Sequence, residues 1–463
     1  MKPQQEDLVR RAFADLRTIS LRSPSPDETN LTDVLDGGGV QHGFMDYVAG
    51  TATGYSRAGL AALAELAQIY RSNDSSRSVQ ASGATLAKLL AAIIAKLWLE
   101  HGNSITEPDD FAAVDGMVDE WFASLTRTRL HAVPCIISPY PAPSFDVGPV
   151  HFSTWHDFPA DRFGVTREEF WGIDPSESKR EVGGLHFGSL MKMAHERSAG
   201  WVAIVEISGR AEEESKAMAD IAVDIALGAL KAVAPGLEIR NICRATSSIP
   251  PLWRADVWSD GSYTRNGVSN FEPAKVIAPV VFADVLGVQV RGSLEVVGRR
   301  LGEYLGASSS FPLLVESWAN AAYWFNQAVA ETLDTVAVFK LETTIEVLFR
   351  SEDMAGSKSR LRESFEAFFG LTGSHQYPGS ALTVDQFILN ITTARSRVAH
   401  GTWPTINTDL PGYRKQKPID RRELEMIAGQ LLVRFAHFLE LYGAAGETSD
   451  STDAFFGWIM VNQ

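Results

Sequence analysis

The last third of this chain carries a series of apolar stripes at helical spacing, and these stripes largely determine how it can fold. After Pro312, apolar residues recur every three or four positions, which is typical of amphipathic helices. The stripes are Trp318, Ala322, Phe325, Val329, Leu333; Val338, Leu341, Ile345, Leu348; Leu361, Phe365, Phe368; Val384, Phe387, Ile391, Ala394, Val398; and Leu424, Ile427, Leu431, Phe435, Phe438, Tyr442. Because such helices bury their stripes against one another, we predict a helical bundle over residues 311–445.

Local signals predict where this bundle begins and ends. The small polar run Gly306–Ser310 predicts a junction just before Pro312. Within the bundle, Thr383 is a candidate helix cap, and Gly401 and Pro404 predict the end of that helix. Residues 446–463 are interpreted as a tail whose three aromatic residues dock on a neighbour; these are Phe455, Phe456 and Trp458.

The rest of the chain divides into regions with different patterns of apolar residues. A length of 463 residues predicts two to three domains. Residues 1–125 have helical periodicity and predict a mainly helical N-terminal region. Residues 126–305 mix one periodic helix at about 212–233 with β-like runs, and predict an α+β domain with a sensor or regulatory role. The β-like runs are His131–Ser138, Trp201–Ser208, Leu237–Cys243, Leu252–Trp258 and Lys275–Val290. The predicted fold class is therefore α+β and multidomain, with an all-α bundle at the end.

Composition limits the classes of partner. The two cysteines, Cys135 and Cys243, form neither a disulfide framework nor a metal-ligand pair, which favours a reducing cytoplasm. The N-terminus has no secretory pattern, and Leu86–Leu99 is too short and too charged to cross a bilayer, so no membrane association is expected. A formal net charge of −15 disfavours broad adhesion to polyanions. Any contact with nucleic acid is therefore expected to be local.

One segment at the end of a predicted bundle helix carries residues suited to chemistry. It is Ala394-Arg395-Ser396-Arg397-Val398-Ala399-His400-Gly401. The segment resembles the signature of the HEPN superfamily, an arginine and a histidine with four to six residues between them, and four stand between them here. It particularly resembles the Arg-Ser-x-x-x-His-Gly ending of the Apea-like branch. The pair Leu341-Glu342 is similar to a Leu-Glu pair on a preceding helix of that branch. The resemblance covers roughly residues 313–445 and leaves the first 300 residues outside it.

The resemblance implies RNA cleavage by attack of the 2′-hydroxyl on the adjacent phosphate, with no metal or cofactor, in a homodimer or higher homo-oligomer. It also implies an effector in bacterial defence against phage, with a phage-derived or small-molecule trigger. Histidine exchanges protons near neutral pH, so His400 is the candidate general acid or base. A guanidinium offers fixed donors to phosphate oxygens, so Arg395 is the candidate stabiliser of the developing charge.

Other residues are assigned supporting roles. Ser396 occupies a position where the family prefers a polar residue, Glu342 is expected to hold Arg395 or His400, and Arg397 is expected to contact the RNA backbone. Helical geometry separates Arg395 and His400 by roughly 140° around the axis, so pairing of two protomers would bring two copies of each into one cleft. A basic run that could guide RNA comprises Arg414, Lys415, Lys417, Arg421 and Arg422.

Each of these features also has a structural explanation. Arginine and histidine near a helix C-terminus satisfy carbonyls and the macrodipole without chemistry. Glu346, four residues after Glu342, is interpreted as part of a solvated charged face. The basic run is equally consistent with a solvated surface, and the pair His151 and His156 lacks a third metal ligand.

Two other functions stay open. The first is a noncatalytic module, in which the bundle pairs protomers and the N-terminal part binds a ligand or partner. The second is a hydrolase in the middle domain, although no nucleophile elbow is present and the glycine-rich segments Gly37–Gly39 and Gly183–Gly188 lack a phosphate-loop lysine.

Overall fold

The computed structural model describes most of the chain. The described residues are 1–20, 44–46, 51–101, 108–138, 142–172, 187–235, 240, 242–247, 253–257, 260, 264–268, 279–306, 308–351, 354–376, 382–401 and 420–462. They show a mostly helical α+β chain that divides into two compact units. Unit 1 comprises Met1–Arg129 with Ile207–Met218, and unit 2 comprises Leu130–Glu206 with Ala219–Gln463. None of the described helices is long and apolar enough to span a bilayer.

Unit 1 is built on helices, as its periodicity predicts. They are α1 (Pro3–Asp15), α2 (Arg57–Ser72), α3 (Ser75–Gln80), α4 (Gly83–His101) and α5 (Pro108–Ser124). Leu66 of α2, Leu90 of α4 and Val114 of α5 are fully buried in one apolar core, so each helix turns one face inward. A small sheet that sequence patterning did not predict has the order β1 (Arg17–Ser20), β3 (Thr51–Gly54), β2 (Phe44–Asp46), with antiparallel pairing.

Unit 2 holds most of a five-stranded sheet. Its strands are β4 (Thr128–Ile136), β5 (Phe145–Val147), β6 (Val150–Thr154), β7 (Trp201–Ser208) and β8 (Cys243–Arg244), in the order β5-β6-β7-β4-β8. The pairs β5–β6, β6–β7 and β4–β8 are antiparallel. A separate hairpin joins β9 (Trp253–Val257) to β10 (Thr264–Val268). The strands predicted at 131–138, 201–208 and 252–258 are thus confirmed, whereas most of the predicted run 237–243 lies outside the described residues.

The helices of unit 2 before the bundle are α6 (Arg167–Trp171), α7 (Phe187–Glu196), α8 (Glu212–Val233), α9 (Pro279–Asp284) and α10 (Arg291–Gly306). Helix α8 begins in unit 1 and has the predicted bounds. The prediction of a strand over 275–290 is wrong where the structure describes it, because α9 is followed by a π-helical turn at Val285–Gln289. Pro279 stands at the first helical position, where its fixed φ favours a helix despite the β-branched residues that follow.

A glycine pair sets how closely α10 approaches the sheet. Gly148, in the β5–β6 turn, has φ +58°. A Cβ atom on Gly148 would clash with the carbonyl oxygen of Gly298 on α10, and a Cβ on Gly298 would clash with the Gly148 backbone nitrogen. Backbone therefore touches backbone at this point, and only glycine permits the contact.

The bundle follows as α11 (Pro312–Val329), α12 (Asp334–Phe349), α13 (Met354–Phe369), α14 (Val384–Ala399), α15 (Arg421–Ala444) and α16 (Thr452–Asn462). Helix α12 packs against α11, α14 and α15, and the buried indole of Trp318 on α11 donates to the Leu432 carbonyl of α15 at 3.1 Å. Thr383 caps α14 as predicted, in a reciprocal capping box with Gln386. Leu333, predicted in the first stripe, instead precedes α12 and is 61% exposed.

The expected division between the middle region and the bundle does not separate compact units. Both belong to unit 2, because α10 packs on α11 and α15 across the Gly306–Ser310 break. The predicted tail is also part of the bundle. Phe455 and Phe456 of α16 are buried, and their rings lie against Phe368 of α13 and Phe435 of α15.

Candidate functional site

The candidate site lies where α12 and α14 pack against each other in unit 2. Glu342 and Glu346 stand one turn apart on α12, so they occupy the same helical face. Arg395 projects from the last turns of α14 toward both carboxylates. The predicted arginine and the predicted glutamate are therefore brought together, along with a second glutamate.

Arg395 bonds mainly to Glu346. Its Nη2 lies 2.8 Å from Glu346 Oε2, whereas its Nε lies 3.7 Å from Glu342 Oε2. The guanidinium carbon is also 5.9 Å from the centre of the Phe339 ring, within the range of a cation–π contact. The Arg395 side chain remains 28% exposed, so it is not sealed from solvent.

Glu342 is the unusual member of this cluster. Its side chain is fully buried, and neither carboxyl oxygen accepts a hydrogen bond from the residues that the structure describes. Burial raises the pKa of Glu342 to about 8; Arg395 opposes this rise and Glu346 adds to it. A carboxyl group that is buried, unbonded and beside an arginine is an arrangement that recurs at functional sites.

Sequence reasoning misjudged Glu346. The residue is 12% exposed and paired with Arg395, so its interpretation as part of a solvated face is wrong. The signal that could have found it is its spacing from Glu342, because two carboxylates four residues apart on a helix can address one cation on a neighbouring helix.

His400 occupies the C-cap position of α14. Its backbone N–H donates to the Ser396 carbonyl at 3.1 Å, and Gly401 follows with φ +66°, the left-handed conformation that ends the helix. The side chain of His400 is exposed, and helical geometry puts it roughly 7 Å further along the axis than Arg395. Ser396 and Arg397 are half-buried between the two.

The residues of the predicted basic run differ in their surroundings. Arg414, Lys415 and Lys417 lie outside the described residues. Arg421 begins α15 with 5% exposure, and its guanidinium donates to Glu425, Asp334 and the Ala328 and Val329 carbonyls. Its expected contact with RNA phosphates is thus incompatible with its place in the bundle interior, whereas Arg422 is exposed.

A second buried acidic cluster in unit 2 differs in its bonding. Asp224 of α8 is 1% exposed and accepts from Arg244 of β8 at 3.0 and 2.9 Å and from Asn326 of α11 at 3.1 Å. Nearby, Lys231 is fully buried, and its Nζ donates to the Asn326 carbonyl at 3.3 Å. Burial lowers the pKa of Lys231 to about 8, although Cys243, Asp224 and Glu425 oppose the shift.

The remaining sequence candidates have simpler surroundings. His151 pairs with its cross-strand neighbour Asp146 at 2.7 Å in the β5–β6 hairpin, and the His156 ring lies 5.9 Å from the Trp171 ring. Among the described residues, no group of three or more histidine, cysteine or acidic side chains could hold a metal ion. Both glycine-rich segments, 37–39 and most of 183–188, lie outside the described residues.

Comparison with protein-family models, with curated proteins and with solved structures found no match to this chain. A function is therefore inferred from the residues and the geometry of the α12–α14 site.

Proposed function

We propose that the chain is a metal-independent endoribonuclease of the HEPN type, in which Arg395 and His400 act on one phosphodiester at a homodimer interface. The observation that supports this most is the α12–α14 cluster: a partly exposed guanidinium rests on a buried carboxyl that has no hydrogen bond from the described residues. A buried carboxyl without hydrogen bonds lowers the stability of a bundle, so its presence favours a role other than stabilising the fold.

The proposed roles follow from exposure and chemistry. The Arg395 side chain is 28% exposed, and a guanidinium can donate to two phosphate oxygens in a bidentate arrangement. His400 is exposed at the end of the same helix, and an imidazole there can transfer a proton to or from a ribose oxygen. Arg397 is available to contact the RNA backbone, and Ser396 lies between the two main residues.

A dimer would complete the site. Arg395 and His400 lie at different angles around α14 and roughly 7 Å apart along its axis. The two side chains of a single protomer therefore point in different directions. Two copies of α14 facing each other would offer both kinds of side chain to one scissile phosphate. A role in defence against phage, with the remainder of the chain as a sensor of the trigger, is part of the same proposal.

The direct test is RNA cleavage by the purified protein in EDTA. His400→Ala is expected to lower the rate by at least about a hundredfold, the usual scale of losing a general acid or base. His375→Ala is the matched control, because His375 is also exposed but stands near the other end of α14. Equal loss in both variants, or full activity in His400→Ala with the dimer intact, would remove His400 from the mechanism.

A noncatalytic interaction module is the second candidate. The pairing of Arg395 with Glu346 favours it, because an arginine already neutralised by a carboxylate can serve as a purely structural ion pair. A protein that forms dimers but leaves every tested RNA intact in both metal-free and metal-containing buffer would support this function instead.

A further inference from the structure

The guanidinium that the proposed function assigns to the phosphate is already bonded to a carboxylate of its own protein. Arg395 Nη2 lies 2.8 Å from Glu346 Oε2, and the two side chains are 28% and 12% exposed. A partly buried ion pair is screened less by salt than a pair on the open surface. RNA therefore meets a competitor at this position.

Carboxylate and phosphate oxygens compete for the same donors. The guanidinium fork binds either anion, most strongly when two of its N–H groups point at one group. A phosphate that takes up the Nη2 donor must displace Glu346 or share the donor with it. The Arg395 side chain is 28% exposed, so a phosphate in solution can reach it.

Glu342 does not compete in the same way. It lies beneath Arg395 at 3.7 Å, is fully sealed from solvent, and has a pKa raised to about 8 by burial. Near neutral pH this carboxyl is mainly uncharged, so Glu346 is the anion that opposes the phosphate. The two glutamates therefore have different effects on the same arginine.

We propose that Glu346 is a positioning residue that sets the affinity for RNA, holding the Arg395 guanidinium in the free protein and yielding it to a phosphodiester on binding. This inference rests on the proposed function and deepens it. Glu346 acts through Arg395 and has two opposed effects: it weakens binding of the phosphate, and it limits the rotamers of the arginine. Loss of its charge should lower KM and also lower kcat, a split that a merely structural contact would not produce.

The experiment measures binding of a 2′-O-methyl RNA, in which the attacking oxygen is blocked, together with cleavage of the matching unmodified RNA. Glu346→Gln is expected to tighten binding about fivefold, the scale of one partly exposed ion pair. Glu363→Gln is the matched control, because it removes the same charge from another bundle ion pair, with Arg360 at 2.9 Å, and should change binding less than about twofold. In an Arg395→Ala background, Glu346→Gln should have no effect beyond that of Glu363→Gln.

A second variant at the same position separates an effect on RNA binding from a folding defect. Glu346→Asp keeps the charge but shortens the reach by one methylene, and it is expected to tighten binding by about twofold, with folding of each variant checked by thermal unfolding. If the wild type cuts RNA but Glu346→Gln and Glu346→Asp bind no more tightly than the control, the inference is overturned and the nuclease stands. If no variant binds or cuts RNA, both the inference and the proposed function are overturned.

Discussion

The Asp224 and Glu342 carboxyls are both buried between elements of unit 2, and each faces an arginine from a neighbouring element. Asp224 accepts two hydrogen bonds from Arg244 and one from Asn326. Glu342 accepts none from the described residues, and Arg395 is bonded instead to Glu346. Burial of a carboxyl is thus not itself the mark of a site; a buried carboxyl whose arginine is bonded elsewhere is the informative case.

The difference has a thermodynamic reason. A buried charge that is fully bonded contributes to a stable, specific contact, whereas a buried carboxyl without donors keeps its proton and costs stability as the pH rises. The Asp224 cluster is therefore interpreted as stabilising the fold, and the Glu342 cluster as lowering the stability of the folded state. Four substitutions test this contrast by their effect on the free energy of unfolding.

Arg244→Met should have the largest effect. It leaves Asp224, at 1% exposure, without the arginine that pairs with it, and a loss of roughly 3–5 kcal/mol is expected. Arg299→Met is the control, because the Arg299–Glu440 pair is exposed and should contribute under about 1 kcal/mol. Denaturant unfolding at pH 7 measures both. Similar small losses would show that Asp224 is no better bonded in solution than a surface carboxylate.

Lys231→Met should stabilise the protein near pH 7 by about 2 kcal/mol, because it removes an amine that burial disfavours in its charged form. The pKa of Lys231 is lowered to about 8 from an ordinary value of 10.5, so the folded state binds fewer protons than the unfolded state between these values. The wild type should therefore gain stability as the pH rises from 8 to 10.5, and the variant should lack this gain. Parallel pH profiles of the two proteins would show that Lys231 is solvated.

Glu342→Gln should stabilise the protein by about 1 kcal/mol at pH 8 and by little at pH 5, because the buried glutamine amide also lacks partners and offsets much of the gain from removing the charge. The pKa of Glu342 is raised to about 8 from 4.5. The contribution of its bound proton to the free energy of unfolding is therefore fully present below pH 4.5 and is lost as the pH rises through 8. The variant has no proton to lose, so its unfolding free energy should decline less over this interval. A wild-type profile as flat as that of the variant would place Glu342 in contact with water.

Arg395→Met should have the smallest effect on stability, under about 1 kcal/mol. Glu342 is uncharged and has no ion pair with Arg395 to lose, and Glu346 keeps some contact with solvent. The same variant should lose RNA cleavage almost completely. A loss of stability as large as that of Arg244→Met would make the two clusters alike and would favour a structural role for Arg395.

The parts of the fold that were predicted correctly depend on signals within a few residues of chain. Helix α8 has a periodic stripe ended by Pro235, and α14 has the Thr383 cap at one end and Gly401 at the other. The parts that were missed depend on partners distant in sequence. Arg421 belongs to a basic run, yet two helices distant in sequence, α11 and α12, supply acceptors for its guanidinium in the interior.

The site was predicted in part for the same reason. Arg395, His400 and Glu342 were found from spacing and resemblance, and the structure brings the first and third within 3.7 Å. The four-residue spacing of Glu346 from Glu342 was a usable signal, but the burial of Glu346 depends on how α14 packs on α12, which local spacing does not predict. Whether two copies of His400 meet across a dimer stays a prediction.

The burial of α16 affects the order in which the chain can fold. Phe349, Phe368 and Phe435 are covered by aromatic rings that the chain supplies only after residue 452. During synthesis α12 and α14 leave the ribosome earlier, so Glu342 and Arg395 are present before the core that supports them can close. A nascent bundle would then display bare aromatic rings, a surface that chaperones and proteases recognise, until its final eleven-residue helix docks.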